Sequence, residues 1–503
     1  MRPVRESRED YDATRLLFAV AVTALASLVG CTSETTSPQA EPADAAAPLT
    51  LDSPDSATPA RAKEQEIVET AIAELSAEAR LGARLFFENR LSNPGANLAT
   101  SCRSCHAPPA ASHGEQQWAD STPLSVMPAN DRGSKLETTR NAPSLLDAID
   151  SGPFPYDGAY STIDEYLAHK LTSEHMGWRP DDLDRAKSEI QALLAYDDGS
   201  DPLAEGTYAE QFLEAKDIDV MSLSADGSIA VVIDSLQDYL GTVVTNNTAA
   251  YDAIMYLNRF PEALAGEGDT PFDYSGRFFG RVANEEGRVL IRFPNIYNEQ
   301  AYQGLKTFMR VMPTWNSSVV GEEVNIGNCV TCHIPPKFTD NKFHNMGVAQ
   351  MEYDTVHGDG AFAKLAPAAP SDKTRSRADA GDPEKADFGR WNVDPKEENA
   401  GAMKTPKLRN PAGTAPYMHN GGYASIEDAI RQHIQAAELA RAGKLRNPDP
   451  ELAKISGLTD EDVAQLVAFF ETLNEVDPEA YRDFRITDVR IRQDPLGEAT
   501  FSN

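Results

Sequence analysis

Asn328 to Val348 reads N-C-V-T-C-H-I-P-P-K-F-T-D-N-K-F-H-N-M-G-V, and the C-x-x-C-H at its start decides how the chain must be organised. Two thiols three positions apart on one tight turn can each add to a different vinyl group of one porphyrin, and the next histidine then lies under the iron. Cys329, Cys332 and His333 fill those roles, so the spacing predicts a covalently bound haem c. A second copy, S-C-R-S-C-H, supplies Cys102, Cys105 and His106. One chance C-x-x-C-H in a chain of this length is on the order of a one-in-a-thousand event, and two are far rarer. A zinc site would need a second ligand pair at finger-like spacing, and the sequence offers none.

Around these motifs lie 503 residues, enough for two or three domains with real cores. Of five cysteines, four sit in the two motifs and the fifth is Cys31, so disulfides do not staple this fold. The net charge of −32 argues against nucleic acid as a partner. It suits either a basic electron-donor protein, a cytochrome or small redox protein steered in by charge, or a salty habitat.

At the N-terminus, Leu16 to Gly30 reads as the apolar core of a signal peptide, too short for a membrane span. It ends Leu28-Val29-Gly30-Cys31, which resembles a bacterial lipobox, although four acidic residues precede the apolar run. The expectation is a lipidated Cys31 that anchors the protein on the periplasmic side of the outer membrane. Thr32 follows the cysteine, where an aspartate would resemble an inner-membrane retention signal. Residues 32–62, rich in Ala, Pro, Ser and Thr, read as a flexible tether.

Apolar spacing predicts a helix from Glu64 to Leu91, a long helix over 226–258, a helix over 299–313 ahead of the second motif, and a last helix opening at Thr459. Residues 261–297 read as an insertion, and 365–390 as a polar surface loop. The expected organisation is a signal peptide (1–30), a tether (31–62), an N-terminal haem domain (63–298) and a C-terminal haem domain (299–490).

The segments LGARLFFENRLSNPGANLATSCRSCH (81–106), RNAPSLL (140–146), PFPYDG (153–158), FTDNKFHNMGV (338–348), MKTPKLRN (403–410) and TAPYMHNGGYASIEDAI (414–430) occur in that order. Together they resemble the bacterial dihaem cytochrome c peroxidase family, which includes the enzyme that matures methylamine dehydrogenase by oxidising protein tryptophans. The resemblance spans roughly residues 80–475. It implies a mainly α-helical fold with two cytochrome c-like domains facing each other across an interface calcium ion, held by Asn141, Thr414 and Pro416.

It also implies roles for particular residues. A sixth iron ligand stands fourteen residues after the histidine of the PYMHNG motif; here that histidine is His419 and the ligand position is His433, where relatives have methionine or tyrosine. For the His106 haem, the loop 120–135 lacks the distal histidine of many peroxidases, so this iron reads as open, with Met127 an alternative ligand and His113 a surface residue. The acid/base group near an open iron falls on Glu174 or His175, depending on register. If His175 instead ligated iron, the site would only transfer electrons. Tyr156 replaces the tryptophan found between the haems.

The implied activity is reduction of hydrogen peroxide at the His106 haem with electrons entering through the His333 haem. Two rivals follow from the same residues: oxidation of a side chain on a protein substrate, and a dihaem electron carrier with no enzymatic role.

Overall fold

The computed structural model describes residues 69, 72–96, 99–106, 126–127, 136–137, 140–285, 297–311, 325–366 and 385–475, all within one compact unit, Thr58–Asn503. Eleven α-helices lie among them: α1 (Ala77–Phe87), α2 (Ile163–Leu171), α3 (Leu183–Tyr196), α4 (Tyr208–Lys216), α5 (Ala225–Leu240), α6 (Ala250–Leu257), α7 (Pro271–Glu285), α8 (Glu299–Met309), α9 (Val348–His357), α10 (Ile426–Arg441) and α11 (Asp460–Glu471). Among the described residues, strand structure is limited to two-residue antiparallel pairs, such as Phe343–His344 with Met403–Lys404, and a few isolated bridges. The chain is mainly α, as its apolar periodicity predicts. No helix among the described residues is long and apolar enough to cross a membrane. Cys31 and most of the 120–135 loop, with His113 before it, lie outside the described residues, as does the side chain of Met127.

The two halves are built alike. In the first, Ser76 caps α1 through its hydroxyl, and Leu81, Leu85 and Phe86 turn into the core. In the second, Asn298 caps α8, whose Leu305, Phe308 and Met309 are buried. Each of these helices leads into a C-x-x-C-H turn and crosses a later helix at a glycine. A Cβ on Gly82 would lie 1.9 Å from the Ser235 carbonyl oxygen of α5, and one on Gly304 would lie 2.0 Å from that of Gln465 on α11. Such contact allows no added methyl group. A Gly304→Ala variant is therefore expected to lose about 1–3 kcal/mol, read as a lowered urea midpoint with an unchanged slope.

Helix starts follow the sequence signals closely. Thr459 caps α11 in a reciprocal box with Asp462, and Ser425 caps α10. Several sequence expectations differ from the structure; the helix expected from Glu64 to Leu91 is broken at 74–76, and α1 runs from Ala77 to Phe87. The helix expected over 226–258 is two helices, because the β-branched and Asn-rich run Thr242–Thr248 favours extended and left-handed backbone, with Asn247 at φ 55°. The helix before the second motif ends at Met309, and residues 312–313 lie outside the described residues.

In the packing, Tyr251, Ile254, Phe260, Tyr274 and Phe278 of α6, α7 and the turn between them join Leu305, Phe308, Phe338, Leu466 and Phe469 in one hydrophobic cluster. The first cluster ends at Val243. The stretch 385–390, expected as surface, buries Ala386, Asp387 and Phe388.

Candidate haem centres

Each C-x-x-C-H turn opens onto its own cavity. The C-terminal cavity, about 270 Å³, is lined by Cys329, Cys332, His333 and His433 together with Ile430, Leu466 and Phe470. The N-terminal cavity, about 260 Å³, is lined by Cys102, Cys105, His106, Tyr166, Lys170, Glu174 and His175. Two motifs and two cavities of nearly equal size fit two groups of the same kind. None of these four cysteines is in a disulfide.

In the C-terminal cavity two histidines are oriented in the same way. His333 Nδ1 lies 2.9 Å from the Phe338 carbonyl, and His433 Nδ1 lies 2.8 Å from the Ala429 carbonyl one turn earlier on α10. A carbonyl only accepts, so each Nδ1 carries the proton. Burial lowers both imidazoles, His333 to about 4, so both are neutral and each Nε2 keeps its lone pair. This is the arrangement by which a protein holds a metal-ligating histidine in one tautomer. His344 lines the same cavity between Asp340 (3.0 Å) and Asp449 (2.6 Å). Burial would lower its pKa, but the two carboxylates push it up to about 12, making it a fixed imidazolium beside Cys332.

The N-terminal cavity is arranged differently. Burial, reinforced by the charge of Lys170, lowers His106 to about 4, and its Nδ1 is buried without a hydrogen-bond partner. His175 sits in a 3₁₀ turn, Glu174–Met176, just after α2. Its Nε2 is 2.8 Å from Lys170 Nζ and its Nδ1 is 3.2 Å from Ser173 Oγ. Burial first, then the charge of Lys170, drives its pKa well down. An ammonium only donates, so Nε2 accepts, and the single ring proton resides on Nδ1. The lone pair that would bind iron is already engaged. Glu174 faces the same cavity, half-buried.

Asn141, Tyr156, Lys404 and Lys407 line both cavities and so form the partition between them. Tyr156 packs edge-on to His419 with ring centroids 6.4 Å apart. Lys407 Nζ donates to the Leu146 and Asp147 carbonyls at 2.6 and 2.8 Å and to Ser151 Oγ, and Lys404 Nζ to the Pro153 carbonyl at 2.8 Å. Burial lowers Lys407 to about 7 and Lys404 to about 8. The Asn141 amide donates to the Pro416 carbonyl at 2.8 Å while its Oδ1 is buried without a partner; the Thr414 hydroxyl donates to Pro411. Beside this partition, Arg140 grips Asp387 through two 2.8 Å hydrogen bonds and meets Asp157 at 3.0 Å.

The family model described as di-haem cytochrome c peroxidase matches residues 76–259. Over that stretch the chain is similar to this family. The methylamine utilization protein MauG of Methylophilus methylotrophus is 23% identical over 79% of this chain and 82% of its own length. The cytochrome-c peroxidase IdrP2 of Denitromonas iodatirespirans is 22% identical over 78% of this chain and 80% of its own. Cytochrome c peroxidase Ccp of Escherichia coli is 35% identical, but over only 18% of this chain and 16% of its own. Among solved structures, the diheme peroxidase BthA of Burkholderia thailandensis covers 79% of this chain and 85% of its own, with 20% identity and a TM-score of 0.47.

As a dihaem peroxidase-type oxidoreductase, the chain uses two haem groups, and the residues present fit them: one motif histidine per cavity, with two thiols beside it. The sequence-expected residues fall together as two sets, His333 with His433 and His106 with Glu174 and His175, and Tyr156 stands on the partition. The sequence carries no signal for the placement of Lys170, Ser173, His344 and Asp387 in and beside these cavities and the partition between them. A lysine five residues before a histidine carries no spacing signal, and Asp387 lies within a run whose composition is that of a loop.

Proposed function

We propose that this chain reduces hydrogen peroxide at the His106 haem, using electrons that enter through the His333 haem from a redox protein. The observation that carries the reading is the unequal treatment of the two cavities. The C-terminal cavity wall carries His433, whose Nδ1–H is tied to the Ala429 carbonyl, whereas in the N-terminal cavity both ring nitrogens of His175 are hydrogen-bonded and His169 is stacked on Tyr160. A six-coordinate iron relays electrons, and an iron with an open face reacts. When bound, haem supplies the iron at which the O–O bond is broken.

The chain's own residues then have distinct tasks. His333 and His433, both neutral imidazoles, would hold one iron. Glu174, a carboxyl on the N-terminal cavity wall, moves the proton that O–O cleavage requires. His175 orients the cation beside it. Tyr156 provides an aromatic step between the two cavities. Both haems are attached covalently, through Cys102 and Cys105 and through Cys329 and Cys332. A calcium ion between the halves would take the Asn141 side chain with the carbonyl oxygens of Thr414 and Pro416; the close approach of Asn141 to Pro416 and the partnerless Oδ1 support it. A lipid on Cys31 would hold the enzyme on the periplasmic side of the outer membrane.

Oxidation of a protein side chain is the second reading. Similarity to a MauG protein over 79% of the chain favours it, as does a sixth ligand other than methionine. Spin resonance of the oxidised protein tests the shared core of both readings. One high-spin and one low-spin iron per chain are expected, with peroxide consuming the high-spin signal within the mixing experiment. Two low-spin irons would leave only an electron carrier.

A further inference from the structure

Lys404 and Lys407 line both haem cavities, and their head groups are held by neutral oxygens. Lys407 Nζ donates to the Leu146 carbonyl at 2.6 Å, to the Asp147 carbonyl at 2.8 Å and to Ser151 Oγ. The Ser151 hydroxyl proton is committed to the Asp147 carbonyl at 2.7 Å, so its oxygen accepts from the lysine. Three acceptors need three N–H groups, and only an ammonium has them. The cage is therefore built for the charged form. Lys404 reaches the same serine through its backbone carbonyl, and the Pro153 carbonyl at 2.8 Å.

That charge is weakly compensated. Carbonyls and a hydroxyl replace lost water only in part, and a second ammonium shares the wall. Burial is the largest influence on Lys407 and brings its proton affinity down to about 7. Around it, Asp147 and Asp150 favour the ammonium, while Lys337 and Lys404 oppose it. Asp147 directs its carboxylate to the Thr245 hydroxyl at 2.6 Å and to Lys337 at 3.5 Å, and Asp150 is largely exposed. A proton held this loosely, on a wall shared by two redox sites, responds to the charge on either. An electron that arrives beside the partition favours the ammonium, and one that leaves favours the neutral amine.

We propose that Lys407 is a proton-coupling residue, which takes up a proton as the haem sites are reduced and releases it as they are oxidised. Linkage is reciprocal, so a proton gained when one site is reduced makes reduction of the other easier. One N–H bond forms on Nζ with a proton from solvent, and the electrons come from the redox donor. Reduction of peroxide to two waters consumes two electrons and two protons, so both are drawn from the same partition. The inference rests on a haem in each cavity.

The test is a potential rather than a turnover. The holoenzyme, with its haem count per chain fixed by the pyridine spectrum, is titrated spectroelectrochemically between pH 6 and pH 9 in wild type and Lys407→Met. In wild type the ratio of reduced to oxidised haem at a fixed potential falls as pH rises above about 7, by up to about 10-fold per pH unit, or about 59 mV for a one-electron couple. In Lys407→Met the same ratio varies by less than about twofold across the range. Should Lys407→Met yield no holoprotein, Ser151→Ala carries the test: with one acceptor gone the ammonium is lost more readily, and the pH-dependent span moves to lower pH. A flat wild-type profile, a slope that survives in Lys407→Met, or a span that stays in place when Ser151→Ala carries the test would overturn the coupling while leaving both haems in place. A wild type with one haem per chain would overturn the two-haem placement and this inference with it.

Discussion

An Arg140→Met variant is expected to be less stable than wild type by about 3–5 kcal/mol at neutral pH. Arg140 is nearly buried and its fork makes two parallel 2.8 Å bonds to Asp387, itself 2% exposed, with a third contact to Asp157, 1% exposed. Burial alone would raise the Asp387 carboxyl, but the guanidinium charge and hydrogen bonds hold it well below the usual range. Removing Arg140 leaves that carboxylate in a dry site without its cation. Its other partners are the Gly389 amide and, at 3.9 Å, the His419 ring.

The sign of the pH dependence follows. In wild type a depressed Asp387 contributes stability above the unfolded-state value near 4, and that contribution is lost as pH falls further. In the variant the unpaired carboxylate destabilises at neutral pH and is relieved by protonation as pH falls. The deficit is therefore largest at neutral pH and narrows toward pH 4. Urea unfolding at pH 7 and pH 4.5 measures it, and a constant difference between the two would mean that the charge pair is not what Arg140 contributes. Lys in place of Arg restores charge but loses the fork, so Arg140→Lys should fall between the two.

That network marks the limit of what the sequence makes legible. Local chemistry is readable: a C-x-x-C-H turn must bring its thiols and histidine to one place, and the cap Thr459 announces the start of α11 within a residue. His433 was reachable only through a register of fourteen residues from His419, and the structure turns it into the C-terminal cavity. Nothing in spacing, by contrast, couples Arg140 to an aspartate 247 residues away. The same applies to Lys404 and Lys407, whose partners are backbone carbonyls at 146–153. A carbonyl has no sequence identity, so contacts of this kind cannot be read before the halves are brought together.

The packing of α7 is hidden from the sequence for a related reason. Residues 261–297 are rich in Gly, Asp and Glu, which suggests a loop-like addition to the first half. Yet α7 carries Tyr274 and Phe278, both fully buried, and Phe260 and Phe278 pack with ring centroids 4.9 Å apart against the second core. Composition averages over a helix, whereas the buried face consists of a few residues at helical spacing. Two or three aromatics on that face outweigh the polar majority in deciding which half it joins.

Replacing His433 by alanine is expected to convert the C-terminal iron from low spin to high spin in every molecule, while the His106 haem keeps its spectrum. The physical reason lies in how α10 holds the ring. His433 Nδ1–H donates to the Ala429 carbonyl, four residues earlier on the same helix, at 2.8 Å, so the imidazole is locked along the helix with Nε2 away from the backbone. Its neighbours Ile430 and Ile434 on the cavity wall are apolar, and burial keeps the ring neutral. Nothing else on α10 that lines this cavity offers a nitrogen or sulfur. With His433 gone, the low-spin resonance should disappear and a second high-spin signal of equal intensity should replace it. A His433→Met variant supplies the opposite control. A thioether restores low spin and favours reduced iron, so the potential of that haem should rise above the wild-type value. Survival of the low-spin signal in His433→Ala would assign the sixth position to another residue, with Met346 and Met418 on the same cavity wall the first to substitute.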